Sequence, residues 1–261
     1  MDAIVIAGGI PKPDEPLYEF TQGEPKALLE IAGKPMVQWV LDALGGAERI
    51  DQVVLVSLSE DSGLQCSIPV TYVPNQGGML ENLRAGIEKA LDLNPDTKHV
   101  LTVSSDIPAI SSEMVDWMVK TNSSTDLDIY YTVIPRRVME ERFPNSNRSY
   151  TRLKDAEVCG GDLNMIRASM VNTNEELWDR IVAARKNVFK QAALLGYGNL
   201  LLLLSRQLSL EGAVKRVTKR MDITGKAVIS PYAELGMDVD KPHQLELLRA
   251  DLMVSHQVQE A

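Results

Sequence analysis

The sequence predicts an α/β fold: a mixed, mostly parallel sheet flanked by helices, with a helical C-terminal part. Three observations predict it. Short, continuous apolar runs rich in β-branched residues recur along the chain, as strands buried on both faces require. Segments with apolar residues at helical spacing alternate with them. Glycine-rich or polar clusters stand where the runs end, at Gly8-Gly9, Asn75-Gln76-Gly77-Gly78 and Ser105-Asp106. In open sheets of this kind, ligands collect beyond the carboxyl ends of the strands.

Ala3 to Ala7 is the first run, closed by Gly8-Gly9. Residues 10–25 hold Pro11, Pro13, Pro16 and Pro25 and are expected to form a loop. A short apolar segment, Lys26 to Ile31, leads to a turn at Gly33-Lys34-Pro35. Met36 to Leu44 carries a helical period and ends at Gly45-Gly46. Gln52 to Leu58 and Val70 to Val73 read as strands, and Gly78 to Leu93 as a helix closed by Asn94-Pro95. His99 to Ser104 is a further strand, Ser111 to about Thr121 a helix, and Asp128 to Ile134 a strand. Beyond residue 135 the pattern changes. Residues 136–155 are charged and read as a long excursion, and Gly160-Gly161-Asp162 interrupts residues 157–164. Helices are expected over Glu175–Val188, Gln191–Arg206, Leu210–Lys219 and Leu245–Val254, with a short strand at Ala227–Ile229.

The 261 residues suit one domain, with 44% hydrophobic and 24% charged residues, ordinary for a soluble globular protein. A net charge of -9 argues against nucleic acid as a partner, because phosphate backbones demand a basic surface. Cys66 and Cys159 form no CxxC pair, and His99, His243 and His256 are scattered, so a zinc site is not expected. Two reduced thiols, and a chain that enters a strand at once without a basic leader, fit a cytoplasmic protein. The longest apolar stretch, Ala192 to Leu204, is broken by Gly196, Gly198 and Asn199. It falls short of the ~20 residues a membrane span needs. It reads as a buried helix or helix pair, with a dimer or membrane-surface contact as the alternative, and the apolar region 192–208 is the candidate interface of a homodimer.

Four features carry chemistry. Gly8-Gly9 lets the backbone approach a ligand and aim amides at phosphates. It is neither G-x-G-x-x-G nor a Walker loop. Lys26, between the Pro-rich loop and an apolar segment, places an ammonium within reach of the strand ends, and an ammonium suits phosphate as a compact charge. Asp106 ends a buried strand before Ile107-Pro108, a position suited to a Mg²⁺ ligand and equally to an N-cap or Asx-turn. Asp238 and Asp240 stand two apart, on the same side of an extended segment, although Asp240 also suits a helix cap.

In this order, GG near the start, then K-x-L-L with G-K-P, a buried strand ending in D-x-P and a late D-x-D-x-P, the chain resembles nucleotidyltransferases of glycosyltransferase-A fold. The resemblance is strongest to the MobA-like NTP transferases, over residues 1–110 and again at Asp238–Pro242. It implies a Rossmann-like sheet, with residues 1–134 as the nucleotide-binding half and 135–261 as the acceptor half, the latter including a helical region at 173–220. The backbone of Ala7, Gly8 and Gly9 would hold the base and phosphates. Asn75, Gly77 and Gly78 would lie beside the base. Lys26 would contact the NTP phosphates and, with Asp106, carry the catalysis. Asp106 would ligate Mg²⁺, with Asp238 or Asp240 as the second carboxylate, and Gly160, Gly161, Asp162 and Asn164 would meet the acceptor. The implied partners are an NTP and a small phosphorylated or hydroxylated acceptor. Relatives often carry an Arg on the phosphate loop, whereas residues 10–25 contain none; Lys12 is the only other cation before Lys26, and either it substitutes or the loop acts as a lid with different contacts. Three alternatives follow from the same residues. A glycosyltransferase would use Asp126-Leu-Asp128 or Asp238-Val-Asp240 as its D-x-D. A nucleotide-binding protein without catalysis would account for the missing Arg. An NAD-dependent dehydrogenase would need a third glycine in the first turn, which is absent.

Overall fold

The computed structural model describes residues 1–173 and 207–259. In chain order the elements begin with β1 (Asp2–Ile6), the one-turn helix α1 (Tyr18–Thr21), a 3-10 turn (Lys26–Leu28), β2 (Glu30–Ile31), β3 (Lys34–Pro35) and α2 (Met36–Gly45). There follow β4 (Gln52–Val56), β5 (Val70–Val73), α3 (Met79–Leu93), β6 (His99–Ser104), α4 (Ser112–Asn122) and β7 (Ile129–Pro135). Next come α5 (Arg136–Arg142), β8 (Thr151–Arg152), β9 (Glu157–Gly160), β10 (Leu163–Arg167) and α6 (Met170–Thr173). After residue 207 the chain forms α7 (Leu210–Met221), β11 (Gly225–Ile229), a 3-10 turn (Ala233–Gly236) and α8 (Pro242–Gln259).

Among the described residues the main sheet has nine strands, in the order β5-β4-β1-β6-β10-β7-β9-β8, with β11 beside β7. β5, β4, β1 and β6 run parallel, β10 is antiparallel between β6 and β7, and β11 is parallel to β7. The expected mixed, mostly parallel sheet is therefore present.

The apolar runs explain it. Ala3, Val5, Val53, Leu55, Leu101 and Val103 face one side and pack with Val37, Val40, Leu41, Val115 and Met118 of α2 and α4. Ile4, Val54, Val56 and Val100 face the other and pack with Ile87 and Ala90 of α3. Full burial of each such aliphatic side chain contributes about 1.5–3 kcal/mol. A third apolar cluster joins Leu17, Ile31, Met36, Ile134, Met139, Phe143, Met237, Val239, Leu245 and Leu248, and so ties the C-terminal segment to the Pro-rich loop.

Four expectations need correction. The Pro-rich residues 10–25 are not all loop: α1 forms there because Leu17 is buried in that third cluster. Residues 136–155 hold α5 and β8, because Met139 and Phe143 bury beneath an otherwise charged surface. Residues 157–164 contribute two strands, β9 and β10. Gly161-Asp162 is the break between them: Gly161 N–H donates to Thr132 O at 2.9 Å and Asp162 N–H to Leu235 O at 2.7 Å. The last helix is longer than expected at both ends. The expected helices Glu175–Val188 and Gln191–Arg206, most of the region 173–220, and all but residues 207–208 of the candidate interface 192–208 lie outside the described residues; Leu208 is buried. No helix among the described residues is long and apolar enough to cross a membrane. Cys66 and Cys159 are free thiols.

Candidate active site

The carboxyl ends of β1, β4 and β6 lie side by side. Ala7 continues β1, its N–H donating to Val56 O at 3.0 Å. The two glycines then do different things. A Cβ on Gly8 would stand 2.7 Å from Ser57 Oγ and 2.8 Å from Asn82 Nδ2, so only glycine lets the chain pass. A Cβ on Gly9 would meet nothing within 4 Å, so its backbone borders open space. Gly9 O also accepts from Lys26 N–H at 2.8 Å, which fixes the Pro-rich loop's exit beside β1.

Asn75 to Gly78 is held from beneath. The buried Asn82, in the first turn of α3, accepts from Gln76 N–H at 2.6 Å and donates to Asn75 Oδ1 at 3.2 Å. Asn75 Oδ1 in turn accepts from Gly77 N–H at 2.8 Å, and Gly77 takes a left-handed φ of 87° that favours glycine. Ser57 also has a positive φ, 83°, and its buried Oγ has no hydrogen-bond partner among the described residues. Strain of this kind at a strand end is characteristic of functional sites.

Above this floor sits a charged cluster. Lys26 Nζ lies 2.6 Å from Asp106 Oδ2 and 2.8 Å from Asp240 Oδ1. Burial lowers the ammonium's pKa, but Asp106 and then Asp240 outweigh it, so Lys26 is held above its ordinary value. Ser104 Oγ donates to Asp106 Oδ1 at 2.5 Å, orienting the carboxylate from within its own strand end. Asp238 and Asp240 arrive on an extended segment whose alternate residues, Met237 and Val239, are fully buried in the third cluster. Val239 N–H donates to Asp106 O at 3.0 Å and locks that segment against β6. Gln244, buried in the first turn of α8, accepts from Asp240 N–H at 3.0 Å.

Arg148 pairs with Asp238. It comes from the turn after α5, where Ser146 O accepts from Gln244 Nε2 at 3.2 Å. Asp162, at the break between β9 and β10, completes the group. Burial first, then the nearby Asp106 and Asp240, push its carboxyl up to about 7 against the pull of Arg148 and Lys26.

The residues present fit a divalent cation. Oxygens of Asp106, Asp238 and Asp240 lie within 4.8 Å of one another. Asp162 Oδ2 is buried without a hydrogen-bond partner among the described residues. With all four carboxylates ionised, Lys26 and Arg148 leave two formal negative charges uncompensated. Hard oxygen donors of this kind suit Mg²⁺, which takes one or two carboxylates together with substrate phosphates.

The structure thus brings Ala7, Gly8, Gly9, Lys26, Asp106, Asp162, Asp238 and Asp240 to one end of the sheet. Lys12 lies on the exposed loop that follows Gly9, where its N–H donates to Glu15 Oε2 at 3.0 Å. Gly160 and Gly161 serve strand packing, where added Cβ atoms would stand 2.5 Å from Tyr131 Oη and 2.7 Å from Thr132 Cγ2. Asn164 spends its amide on the sheet, accepting from Thr132 N–H at 2.8 Å and donating to Gly161 O at 3.1 Å. Asp126-Leu-Asp128 stands at the amino end of β7, the opposite end of the sheet. Asp128 is bound there by Arg167 Nε at 2.7 Å and by Thr224; burial would raise its carboxyl, but these hydrogen bonds hold it low. That pair is structural, which removes it as a metal-binding D-x-D. Sequence reasoning missed Ser57, Asn82 and Arg148 as parts of the site. Neither a spacing nor a glycine marks them.

The family described as "MobA-like NTP transferase domain" matches residues 3–222. Among solved structures, a hypothetical transferase from Thermus thermophilus superposes with a TM-score of 0.79 at 33% identity, covering 94% of this chain and 98% of that one. A probable molybdenum cofactor guanylyltransferase from Thermococcus kodakarensis is 24% identical over 183 residues, 59% of this chain and 85% of its own. A ribitol-5-phosphate cytidylyltransferase from Streptococcus agalactiae is 25% identical over 131 residues, 47% of this chain and 52% of its own, so about half of that relative is matched.

Proposed function

The chain belongs to the MobA-like NTP transferase family and is a nucleotidyltransferase, and from that premise we propose that it moves a nucleoside monophosphate from an NTP to a small phosphorylated or hydroxylated acceptor, with Mg²⁺. The observation that carries this reading is the placement of Lys26 between Asp106 and Asp240, beside the open backbone of Gly9. An ammonium there reaches NTP phosphates threaded along Ala7 to Gly9. The carboxylates of Asp106 and of Asp238 or Asp240 would hold the cation, which would neutralise phosphate charge.

The acceptor oxygen forms a bond to the α-phosphorus as the bond to the β-phosphate oxygen breaks, and pyrophosphate leaves. Such transfers rest on positioning and electrostatic stabilisation. Lys26 stabilises the charge that develops on the α-phosphate oxygens. If the acceptor is itself a phosphate, no proton is lost and no general base is needed; a hydroxyl acceptor would release its proton to solvent or to a base, and no residue is assigned to that role. Residues 1–134 form the nucleotide half in this reading. Residues 135–261 form the acceptor half, with Asp162 facing the acceptor. The base lies beside Asn75 to Gly78, over the floor made by Asn82 and Ser57. The relatives make guanylyl and cytidylyl transfer the first donors to try, and the absence of a spanning helix in the described residues suits a cytoplasmic enzyme on soluble substrates.

Pyrophosphate release tests the proposal, with GTP and CTP each offered to molybdopterin and to ribitol 5-phosphate. Release that requires both acceptor and Mg²⁺, and that is lost in Asp106→Ala, is expected. Release unaffected by Asp106→Ala refutes the site.

A further inference from the structure

Arg148 is the one residue of the charged cluster that the proposed transfer does not use. Three facts make its position unusual. It pairs with Asp238, one of the three carboxylates that would hold a divalent cation, so it occupies charge that such a cation would claim. Its side chain is only 15% exposed, and its Nε is buried without a hydrogen-bond partner among the described residues. Its other neighbours are the Cys159 thiol of β9, Asp162 just beyond β9, and Tyr131 of β7.

The backbone that carries it is pinned. Asn145 and Asn147 both take left-handed conformations, and Ser146 is fully buried and tied to Gln244 at the start of α8. A change of partner at Arg148 therefore falls to its long side chain alone.

Resting on the nucleotidyltransferase reading, we propose that Arg148 is the resident counter-ion of the metal site, that a divalent cation displaces it from Asp238, and that the freed guanidinium then binds an anionic group of the acceptor. The physical argument is one of charge. A lysine crowded by a cation can shed its proton; a guanidinium cannot, so Arg148 answers a new neighbouring cation only by moving. Its five donors in a planar fork match a phosphate in bidentate fashion. Because Arg148 stands on the β9 side while Lys26 stands beside Gly9, the two cations divide the anions: Lys26 takes the triphosphate and Arg148 the acceptor. The acceptor is thereby assigned to the phosphate monoesters rather than the neutral alcohols. The arginine absent from residues 10–25 has a counterpart from a different part of the chain, serving the other substrate.

The test uses the full chain without nucleotide, titrated with Mg²⁺ alone and with inorganic phosphate in the presence and absence of Mg²⁺. Arg148→Met removes the charge and keeps most of the volume; it should bind Mg²⁺ more tightly than the wild type by roughly tenfold, within the usual range of coupling between sites. Wild-type phosphate binding should strengthen with Mg²⁺, and this gain should vanish in Arg148→Met. Arg148→Lys should keep the weak wild-type Mg²⁺ affinity and lose most of the phosphate gain. A residue that merely braces the fold would weaken both ligands together. Unchanged or weaker Mg²⁺ binding by a folded Arg148→Met overturns the proposal, as does phosphate binding that Mg²⁺ fails to strengthen in the wild type, which needs no variant to fold. If NTPs bind the wild type with Mg²⁺ while these Arg148 results fail, only the Arg148 assignment falls. A wild type that binds neither Mg²⁺ nor NTP overturns the enzyme reading with it.

Discussion

Lys26 keeps its proton for opposing reasons. Burial disfavours the ammonium, and two carboxylates within 2.8 Å more than restore it. Replacing it with methionine removes the cation and leaves Asp106 and Asp240 facing each other. Lys26→Met should lower kcat/KM by about 10²–10³-fold, the usual cost of losing one preorganised charge-stabilising group, and steady-state kinetics with saturating Mg²⁺ would show it. Asp162 gives a pH signature. Its carboxyl titrates near 7 in the metal-free fold, above the ordinary 3.8, so the folded state binds more protons than the unfolded state between those values. Stability of the metal-free protein should therefore fall as pH rises through that window and level off above about 7, because stability declines wherever the folded state holds the extra proton. Melting curves of Asp162→Asn should be flatter over the same window. Mg²⁺ favours the ionised carboxylate, so its affinity should rise with pH up to the same value.

At the scale of the elements, the site depends on close backbone approaches. A Cβ on Gly236 would lie 2.6 Å from Ile134 Cδ1 and 2.9 Å from Gly160 O, and the second neighbour is backbone. Gly236→Ala should cost about 1–3 kcal/mol by overpacking and should weaken Mg²⁺ binding as well, because Asp238 lies two residues on. Denaturant unfolding beside a Mg²⁺ titration separates the two effects. Asn82→Ala should cost a similar amount, about 1–3 kcal/mol, by stranding the Gln76 N–H and unfastening Asn75 to Gly78. The strand-end glycines, Lys26 and the three aspartates were legible because each sits where an apolar run stops or alternates. Met237 and Val239 bury while Asp238 and Asp240 do not share their face, as a two-residue period dictates. β9 and β10 were not legible, because Gly160-Gly161-Asp162 breaks the alternation just where the strand changes partner. α5 was hidden by its charge, with only Val138 and Met139 apolar among seven residues. Arg148 reaches Asp238 across 90 positions of sequence, and no local pattern announces such a contact.

On the scale of the whole molecule, the net charge of -9 does not oppose a nucleotide site. In the proposed reading, what decides binding there is the local balance of Lys26, Arg148 and a divalent cation against four carboxylates, within an end of the sheet assembled from residues 7 to 240. The fold supplies that end from two directions: parallel strands β1, β4 and β6 bring the glycines and Asp106, and the C-terminal segment returns to add Asp238 and Asp240. The central claim is that nucleotide and metal bind as one coupled unit at Asp106. Calorimetric titration of GTP and CTP into wild type and Asp106→Asn, with and without Mg²⁺, tests it most directly. One nucleotide should bind the wild type at least about tenfold more tightly with Mg²⁺, and Asp106→Asn should abolish that gain, as expected for sites coupled by at least about 1.4 kcal/mol. Nucleotide affinity indifferent to both Mg²⁺ and Asp106→Asn would contradict the account.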